Sequence, residues 1–459
     1  MRRPLFITYV MAALLSLTAA SPLRAGSARS GAGLIEKSAA QSGTVPPPAA
    51  PLGLAAQVGK QMFFDKTLSG SGNMSCATCH DPHYAYGPPN DLAVQLGGAR
   101  LNIKGSRTVP SLRYKDYTPA YADLLENPDG ISAPGPGGGF AWDGRADTLA
   151  NQAKLPLLDP IEMANTGAAD VVKKIRASSY AQLFRQAFGA GVFDDTNAAF
   201  DSAMKALQAF QIEDVSFHPY SSKFDLYAAN KIGGKLTPAE VRGLKVFADP
   251  ATGNCASCHY QGAGLNGSTA LFTDFSYEAI GVPRNASIPA NADPAYFDLG
   301  VCGPRRTDHL PLSKGAGNQY CGMFKTPTLR NVAIRKAFFH NGVMHSLEQV
   351  IRFYNARDTI PELWYPTVGG TARKENDPDF PSYGLIKSRH VGGTVKKFDD
   401  LPAAYRSNID RQLPLDGRAA GADPPMSEQD TADLVCFLDT LTDGYQAPAV
   451  AAASGRCVK

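Results

Sequence analysis

Two pentapeptides in the chain place a pair of cysteines directly before a histidine. They occur at 76–80 (Cys-Ala-Thr-Cys-His) and at 255–259 (Cys-Ala-Ser-Cys-His). Two thiols at this spacing can form thioether bonds to the vinyl groups of a porphyrin, and the adjacent imidazole can then bind its iron. The sequence therefore predicts two covalently attached c-type haems, and structural disulfides are the alternative. The predicted attachment sites are Cys76, Cys79, Cys255 and Cys258, and the predicted axial iron ligands are His80 and His259.

The N-terminal segment has the features of a secretory signal. Arg2 and Arg3 precede an apolar run that ends in small side chains at Ala19 and Ala20. A membrane anchor is the alternative, but the run is short for a membrane span and no later segment resembles one. We therefore predict a signal peptide at 1–20, a periplasmic location and no transmembrane segment in the mature chain.

Composition separates a linker from the folded part of the chain. Residues 21–51 are rich in Ala, Gly, Ser and Pro, and such a segment buries too little apolar surface to fold, so it is predicted to be a flexible linker. The chain from residue 52 onward is long enough for two domains. A net charge of +3 over 459 residues is close to neutral, which argues against a nucleic-acid partner.

Four of the eight cysteines lie outside the two haem motifs. An even number of cysteines in an exported protein is typical of disulfide bonds, although free buried thiols are the alternative. Three pairings are possible. The sequence favours Cys302 with Cys321, which closes one loop, and Cys436 with Cys457, which ties the C-terminal tail to the last helix.

The segments around the two haem motifs match each other. A Gly-x-x-apolar-Phe-x-Asp sequence precedes each motif, at 59–65 and 243–249, and a Pro-Ser/Thr-Leu sequence comes after each, at 110–112 and 327–329. Several shared landmarks in the same order indicate an internal duplication.

Helical patterns connect these segments. Apolar residues at three- and four-residue spacing predict helices over 168–188 and 197–210. The sequence Thr-Pro-Ala-Glu at 237–240 predicts a helix start, with Thr as the N-cap, Pro at the first helical position and Glu completing a capping box. The predicted fold class is mainly α, with two tandem cytochrome c-like haem domains at 52–225 and 226–459 and long loops.

Further motifs occur at 59–70, 75–82, 142–146 (Trp-Asp-Gly-Arg-Ala), 149–153, 160–163 (Pro-Ile-Glu-Met), 324–331 and 339–354. In these segments, which span nearly the whole chain from residue 52 onward, it resembles the bacterial dihaem cytochrome c peroxidase/MauG superfamily. The resemblance implies that the first haem keeps an open iron face for hydrogen peroxide. It also implies that the second haem stores or relays electrons.

The resemblance assigns roles to three side chains near the first haem. Cleavage of the O–O bond needs a group that moves a proton between the two oxygens and a polar neighbour that orients the peroxide. Glu162 occupies the family's acid–base position and Gln152 that of the distal amide, whereas Trp142 is expected between the haems, where it assists electron transfer. The alternatives are an ordinary helix-start carboxylate for Glu162 and a core tryptophan for Trp142.

The sixth ligand of the second iron distinguishes branches of the family. Ordinary peroxidases carry a methionine there, and this chain has Tyr354, as the resemblance to MauG-type enzymes implies. A phenolate stabilises ferric and higher oxidation states, which suits a haem that shares oxidising equivalents. Met344 is the rival ligand, and a packed helix aromatic is the alternative role for Tyr354.

The chain departs from the family pattern at two places. Between residues 81 and 110 it offers only His83, which is too close to His80 to reach the opposite haem face, so we predict an iron that is open without reductive activation. The family's inter-haem calcium site has an asparagine where this chain has threonine, which leaves backbone oxygens as the predicted ligands. The calcium positions are Thr108, Thr326 and Thr328.

The sequence thus predicts a periplasmic dihaem peroxidase that reduces hydrogen peroxide to water, with a small cytochrome c or cupredoxin as electron donor. A MauG-like enzyme that oxidises tryptophan side chains on a partner protein is the second hypothesis, which Tyr354 favours. A non-enzymatic dihaem electron carrier is the third, and Glu162 and Gln152 argue against it. Monomer and homodimer both remain open.

Overall fold

The computed structural model describes residues 50–264, 267–307, 317–373, 381–387, 389–446 and 457. The predicted signal peptide and nearly all of the predicted linker lie outside these ranges. Helices are the main regular structure within them, which confirms the predicted mainly α fold. In chain order, the helices are α1 Leu54–Phe64, α2 Cys76–Cys79, α3 Leu149–Leu158, α4 Ala168–Ala177, α5 Ala181–Phe188, α6 Thr196–Glu213, α7 Lys223–Ala228, α8 Pro238–Ala248, α9 Leu347–Ala356 and α10 Glu428–Asp439.

The strands are short and form antiparallel pairs. They join β1 with β2, β3 with β4, β5 with β6, β7 with β10 and β8 with β9. No helix in the described ranges has the length and apolar composition needed to cross a bilayer. The strands are β1 Leu96–Gly97, β2 Ile103–Lys104, β3 Ala122–Leu125, β4 Gly135–Gly137, β5 Tyr277–Glu278, β6 Phe324–Lys325, β7 Thr367–Val368, β8 Thr371–Arg373, β9 Arg389–Val391 and β10 Thr394–Val395.

Two helix pairs repeat the same close contact. Helix α1 packs on α6, and α8 packs on α10. A Cβ atom on Gly59 would lie 2.0 Å from the carbonyl oxygen of Ala206, and one on Gly243 would lie 2.0 Å from the carbonyl oxygen of Asp433. Only glycine permits this approach of two backbones, so the duplicated glycine of the sequence corresponds to a duplicated helix crossing.

Each helix pair builds an apolar core beside one haem motif. The rings of Phe63 and Phe210 lie 5.6 Å apart in the first core, and those of Phe247 and Phe437 lie 5.2 Å apart in the second. Such ring pairs add to the free energy gained from burial alone. The cysteines of the first motif pack against the first core and Cys255 packs against the second, so the cores position the motifs.

The local helix predictions are confirmed with one difference. The side chain of Thr237 accepts a hydrogen bond from the amide of Glu240, and the Glu240 carboxylate accepts one from the amide of Thr237 at 2.7 Å. The predicted helix over 168–188 is two helices, because Ser178 adopts extended backbone and its hydroxyl donates to the carbonyl of Ile175. The domain boundary at 225/226 stays a prediction, and Phe224 beside it packs in the second core.

Two disulfides join the pairs that the sequence favours. Cys302 is bonded to Cys321, with Cα atoms 5.1 Å apart, and Cys436 is bonded to Cys457, with Cα atoms 5.4 Å apart. The carbonyl of Cys457 also accepts a hydrogen bond from the hydroxyl of Thr237 at 2.7 Å. Cys457 is therefore held against α10 and the start of α8.

We expect Gly59→Ala and Gly243→Ala each to lower the free energy of unfolding by about 1–3 kcal/mol, because the added methyl group must push a backbone carbonyl away. Chemical denaturation of the haem-loaded protein measures this loss. Gly135→Ala is the control, since a Cβ there meets nothing within 4 Å. Unchanged unfolding midpoints in both glycine variants would contradict the duplicated crossing.

Candidate functional site

A cavity opens beside the first haem motif. Cys76, Cys79 and His80 line it on one side, and Gln152 and Glu162 also line it. These residues come from three separate segments of the chain. The fold therefore brings the predicted haem attachment residues and the predicted acid–base pair to one cavity.

Local hydrogen bonds orient the side chains of the first motif toward this cavity. The cysteines form the single-turn helix α2, and Ser75 and Thr78 exchange the hydrogen bonds of a capping box at its start. The Nδ1 atom of His80 lies 3.0 Å from the carbonyl oxygen of Tyr86. Burial lowers the pKa of His80 to about 4, so its ring is neutral, Nδ1–H donates to that carbonyl, and Nε2 is available to bind iron.

The second motif is arranged in the same way. Cys255, Cys258 and His259 line a second cavity. The Nδ1 atom of His259 lies 3.0 Å from the carbonyl oxygen of Phe272, and burial lowers the pKa of His259 to about 4. Each of the two histidine rings is therefore oriented by a hydrogen bond to a backbone carbonyl.

The two candidates for the sixth ligand differ in where they point. Tyr354, on α9, lines the second cavity, and burial raises its pKa above the ordinary value. Met344 is fully buried in the second apolar core and does not line the cavity. Of the two side chains, that of Tyr354 is the one placed at the cavity that holds His259.

The cysteines of the motifs fit haem attachment better than the alternatives. None of the four is in a disulfide. In the part of the chain that the structure describes, no three His, Cys, Asp or Glu side chains converge to hold a metal ion on their own. A zinc site would need such a cluster. Each motif instead faces a cavity with a neutral imidazole, which is the arrangement that a covalently bound haem requires.

Glu162 sits in a recess that favours its protonated form. The amide of Gly98 donates to the backbone carbonyl oxygen of Glu162 at 2.7 Å. The side chain of Glu162, which is 41% exposed, lines the cavity. Desolvation first, and the Asp159 carboxylate second, raise the pKa of Glu162 to about 7, and the cations of Arg305 and Arg145 oppose this shift. A carboxyl with this pKa can both accept and donate a proton near neutral pH.

Trp142 lies between the two cavities and lines both. Its indole Nε1–H donates to the carbonyl of Thr108 at 2.8 Å, and its own carbonyl accepts from the amide of Lys325 at 2.9 Å. The first of these bonds is to the N-terminal half of the chain and the second is to the C-terminal half. The indole is thus fixed at the junction of the two halves.

A buried ion network supports this junction. Arg107 donates to Asp298 through two nitrogens, each at 2.7 Å, and to Asp143 at 2.7 Å. Arg145 donates to Asp143 at 2.9 Å. Burial opposes ionisation of both carboxyls, but Arg107 keeps the pKa of each below its ordinary value. Sequence reasoning missed Asp298, since no motif surrounds it.

The predicted calcium residues divide between the two cavities. Thr108 lines the first, and Thr326 and Thr328 line the second. The carbonyl of Thr326 accepts a hydrogen bond from the hydroxyl of Thr273 at 2.7 Å, and that of Thr108 accepts from the indole of Trp142. Calcium binding stays a prediction.

His83 lies outside both cavities. It is exposed, it lines neither cavity, and its amide donates to the Asp81 carboxylate at 2.8 Å. The expectation that His83 does not block the first iron is consistent with this position.

Comparison with known proteins agrees with the geometry. A family model described as di-haem cytochrome c peroxidase matches residues 54–232. The methylamine utilization protein MauG of Paracoccus denitrificans is 37% identical over 307 residues, which cover 65% of this chain and 74% of that protein. The cytochrome c551 peroxidase of Pseudomonas aeruginosa is 27% identical over 64% of this chain and 70% of that protein.

A solved structure extends the match over most of the chain. The diheme peroxidase BthA from Burkholderia thailandensis superimposes with a TM-score of 0.72 at 37% identity, covering 91% of this chain and 90% of that one. The chain therefore belongs to the di-haem cytochrome c peroxidase family, to which the MauG proteins are also related, and this family implies two haem c cofactors.

Proposed function

We propose that the protein is a dihaem peroxidase that reduces hydrogen peroxide to two waters at the first cavity, taking up two electrons and two protons. The observation that carries this proposal is the placement of Glu162 and Gln152 in the same cavity as Cys76, Cys79 and His80. An electron carrier would need no acid–base group there. The peroxidase relatives and the diheme peroxidase BthA support the same reaction class.

The chain's residues divide the work of this reaction. Haem bound through Cys76, Cys79 and His80 supplies the iron at which peroxide is reduced. The Gln152 amide orients the peroxide, and Glu162 takes a proton from the near oxygen and delivers it to the far oxygen, which leaves as water. A pKa of about 7 suits both halves of this transfer, because the proton is neither held too tightly nor too weakly at neutral pH.

The ligands in the second cavity bear on which electron donor the protein uses. We propose that His259 and Tyr354 would bind the iron of a haem in the second cavity, and that Trp142 couples the two haems. A tyrosinate ligand favours oxidised iron, which supports a second candidate function. In that function, the electrons come from tryptophan side chains of a partner protein, as in a MauG-like enzyme, whereas in the first they come from a small cytochrome c or cupredoxin.

We also propose three further properties of the protein. They are a periplasmic location after removal of residues 1–20, a division into two tandem cytochrome c-like domains, and a monomeric or homodimeric state. Calcium at Thr108, Thr326 and Thr328 is implied by resemblance only.

We expect Glu162→Gln to slow peroxide consumption by about 10²- to 10⁴-fold, because the amide cannot move the proton. In the unmodified protein the rate should rise with pH through about 7, as Glu162 loses its proton, and the variant should lack this rise. Stopped-flow mixing with peroxide measures both. Glu428→Gln, the same change on an exposed side chain that lines neither cavity, is the control. A Glu162→Gln variant with the original rate and pH profile would overturn the proposal.

The charges beside Glu162 should move its pKa in opposite directions. Asp159→Asn removes a carboxylate and frees Arg305 from its ion pair with Asp159, so the pKa of Glu162 should fall below about 7. Arg305→Met removes the opposing cation, so the pKa should rise. Infrared titration of the carboxyl band, assigned by its loss in Glu162→Gln, measures the shift. Shifts of the same sign in both variants would contradict this electrostatic account.

The sixth ligand can be tested with a pair of substitutions. Tyr354→Phe removes the phenolic oxygen from the second cavity, so the optical and electron paramagnetic resonance spectra of one haem should change. Met344→Leu keeps the core volume and should leave both spectra unchanged, apart from a loss of stability below about 1.5 kcal/mol. The reverse pattern would make Met344 the ligand.

A further inference from the structure

Two lysines stand between the two cavities. Lys325 and Lys115 each line both cavities. Lys325 is only 8% exposed, its ammonium donates to the carbonyl of Gly139, and it lies 5.7 Å from the ring centre of Phe140. Among the described residues, neither lysine forms an ion pair with a carboxylate.

Buried ammonium groups of this kind are unfavourable on their own. The nearby carboxylate of Asp143 does not relieve this, because it is already paired with two arginines. A buried charge normally persists only where an opposite charge or several hydrogen bonds compensate it. The two lysines therefore form a site that favours anions.

The cofactors bring such anions. Each haem carries two propionate carboxylates, and the lysines adjoin both of the cavities that hold the attachment cysteines. We propose that Lys325, together with Lys115, binds haem propionates from both cavities, so that the chain itself supplies the cation that links the two cofactors. Charge-assisted hydrogen bonds from an ammonium to a carboxylate are among the stronger ones in proteins.

This arrangement leaves no need for a divalent cation between the haems. The carbonyls of Thr108 and Thr326 already accept hydrogen bonds from Trp142 and Thr273. Lys325 directly precedes Thr326, and its positive charge would repel calcium at that carbonyl. The proposal thus replaces the calcium that the family resemblance implies with a lysine ammonium. It requires that both haems are attached, and it holds whether or not the protein consumes peroxide.

The test compares reduction potentials in the dihaem protein. A nearby cation stabilises reduced iron, so Lys325→Met should lower the midpoint potentials of both haems. We expect a change of about tenfold in each reduction equilibrium, which corresponds to about 59 mV for a one-electron couple. Spectroelectrochemical titration measures it. Lys325→Arg should keep most of the original potentials, because it keeps the charge.

Lys60→Met is the matched control, since it removes the same charge from a side chain that is 51% exposed and lines neither cavity. Lys115→Met, at a less buried position, repeats the test if Lys325→Met fails to fold. Metal analysis should find far less than stoichiometric calcium, and a calcium chelator should leave the electron paramagnetic resonance spectrum unchanged. Potentials of the lysine variants equal to those of Lys60→Met, or stoichiometric calcium whose removal shifts the potentials, would overturn the proposal.

Discussion

The buried contact of Arg107 with Asp143 and Asp298 is the constraint on which the arrangement of the two cavities depends. It joins three segments that lie far apart in the chain, and it fixes the turn that carries Trp142. Gly144 completes this turn with φ of +69°, and a Cβ there would lie 2.2 Å from the hydroxyl of Tyr277. Removing one partner from such a buried network typically costs about 3–5 kcal/mol, because a charge is left unpaired. The indole between the cavities is therefore held by interactions that tolerate little displacement.

Around this junction, the surroundings of each titratable side chain determine its protonation state. His80 and His259 are kept neutral by burial and are oriented by backbone carbonyls, so both are prepared to bind iron. Glu162 is desolvated and lies near another carboxylate, so its proton is exchangeable at neutral pH. Asp143 is also buried, but its arginine partners keep it ionised. Desolvation shifts the pKa of all four groups, and hydrogen-bond partners or neighbouring charges then decide what each can do.

The charges lining the cavities also link cofactor binding to folding. In the proposed arrangement, the haem propionates supply the anions for Lys325 and Lys115, which line both cavities. The proposed contacts between the propionates and these lysines form only when the chain is folded, so they favour the folded state of the haem-loaded protein. In this proposal the cofactors complete the charge arrangement at the junction, in addition to supplying redox chemistry.

The sequence alone determined the features that depend on neighbours in the chain. The Cys-x-x-Cys-His motifs need adjacent residues to hold one porphyrin, and the capping box at Thr237 is closed by a residue three positions away, so both could be predicted. Glu162 and Tyr354 were found through resemblance, but their surroundings were not. Only the tertiary structure placed Met344 in the core and Tyr354 at the cavity, brought Asp159 beside Glu162, and buried Lys325 between the two cavities. Side-chain direction, burial and electrostatic neighbours arise from contacts between distant segments, and spacing along the chain does not encode them.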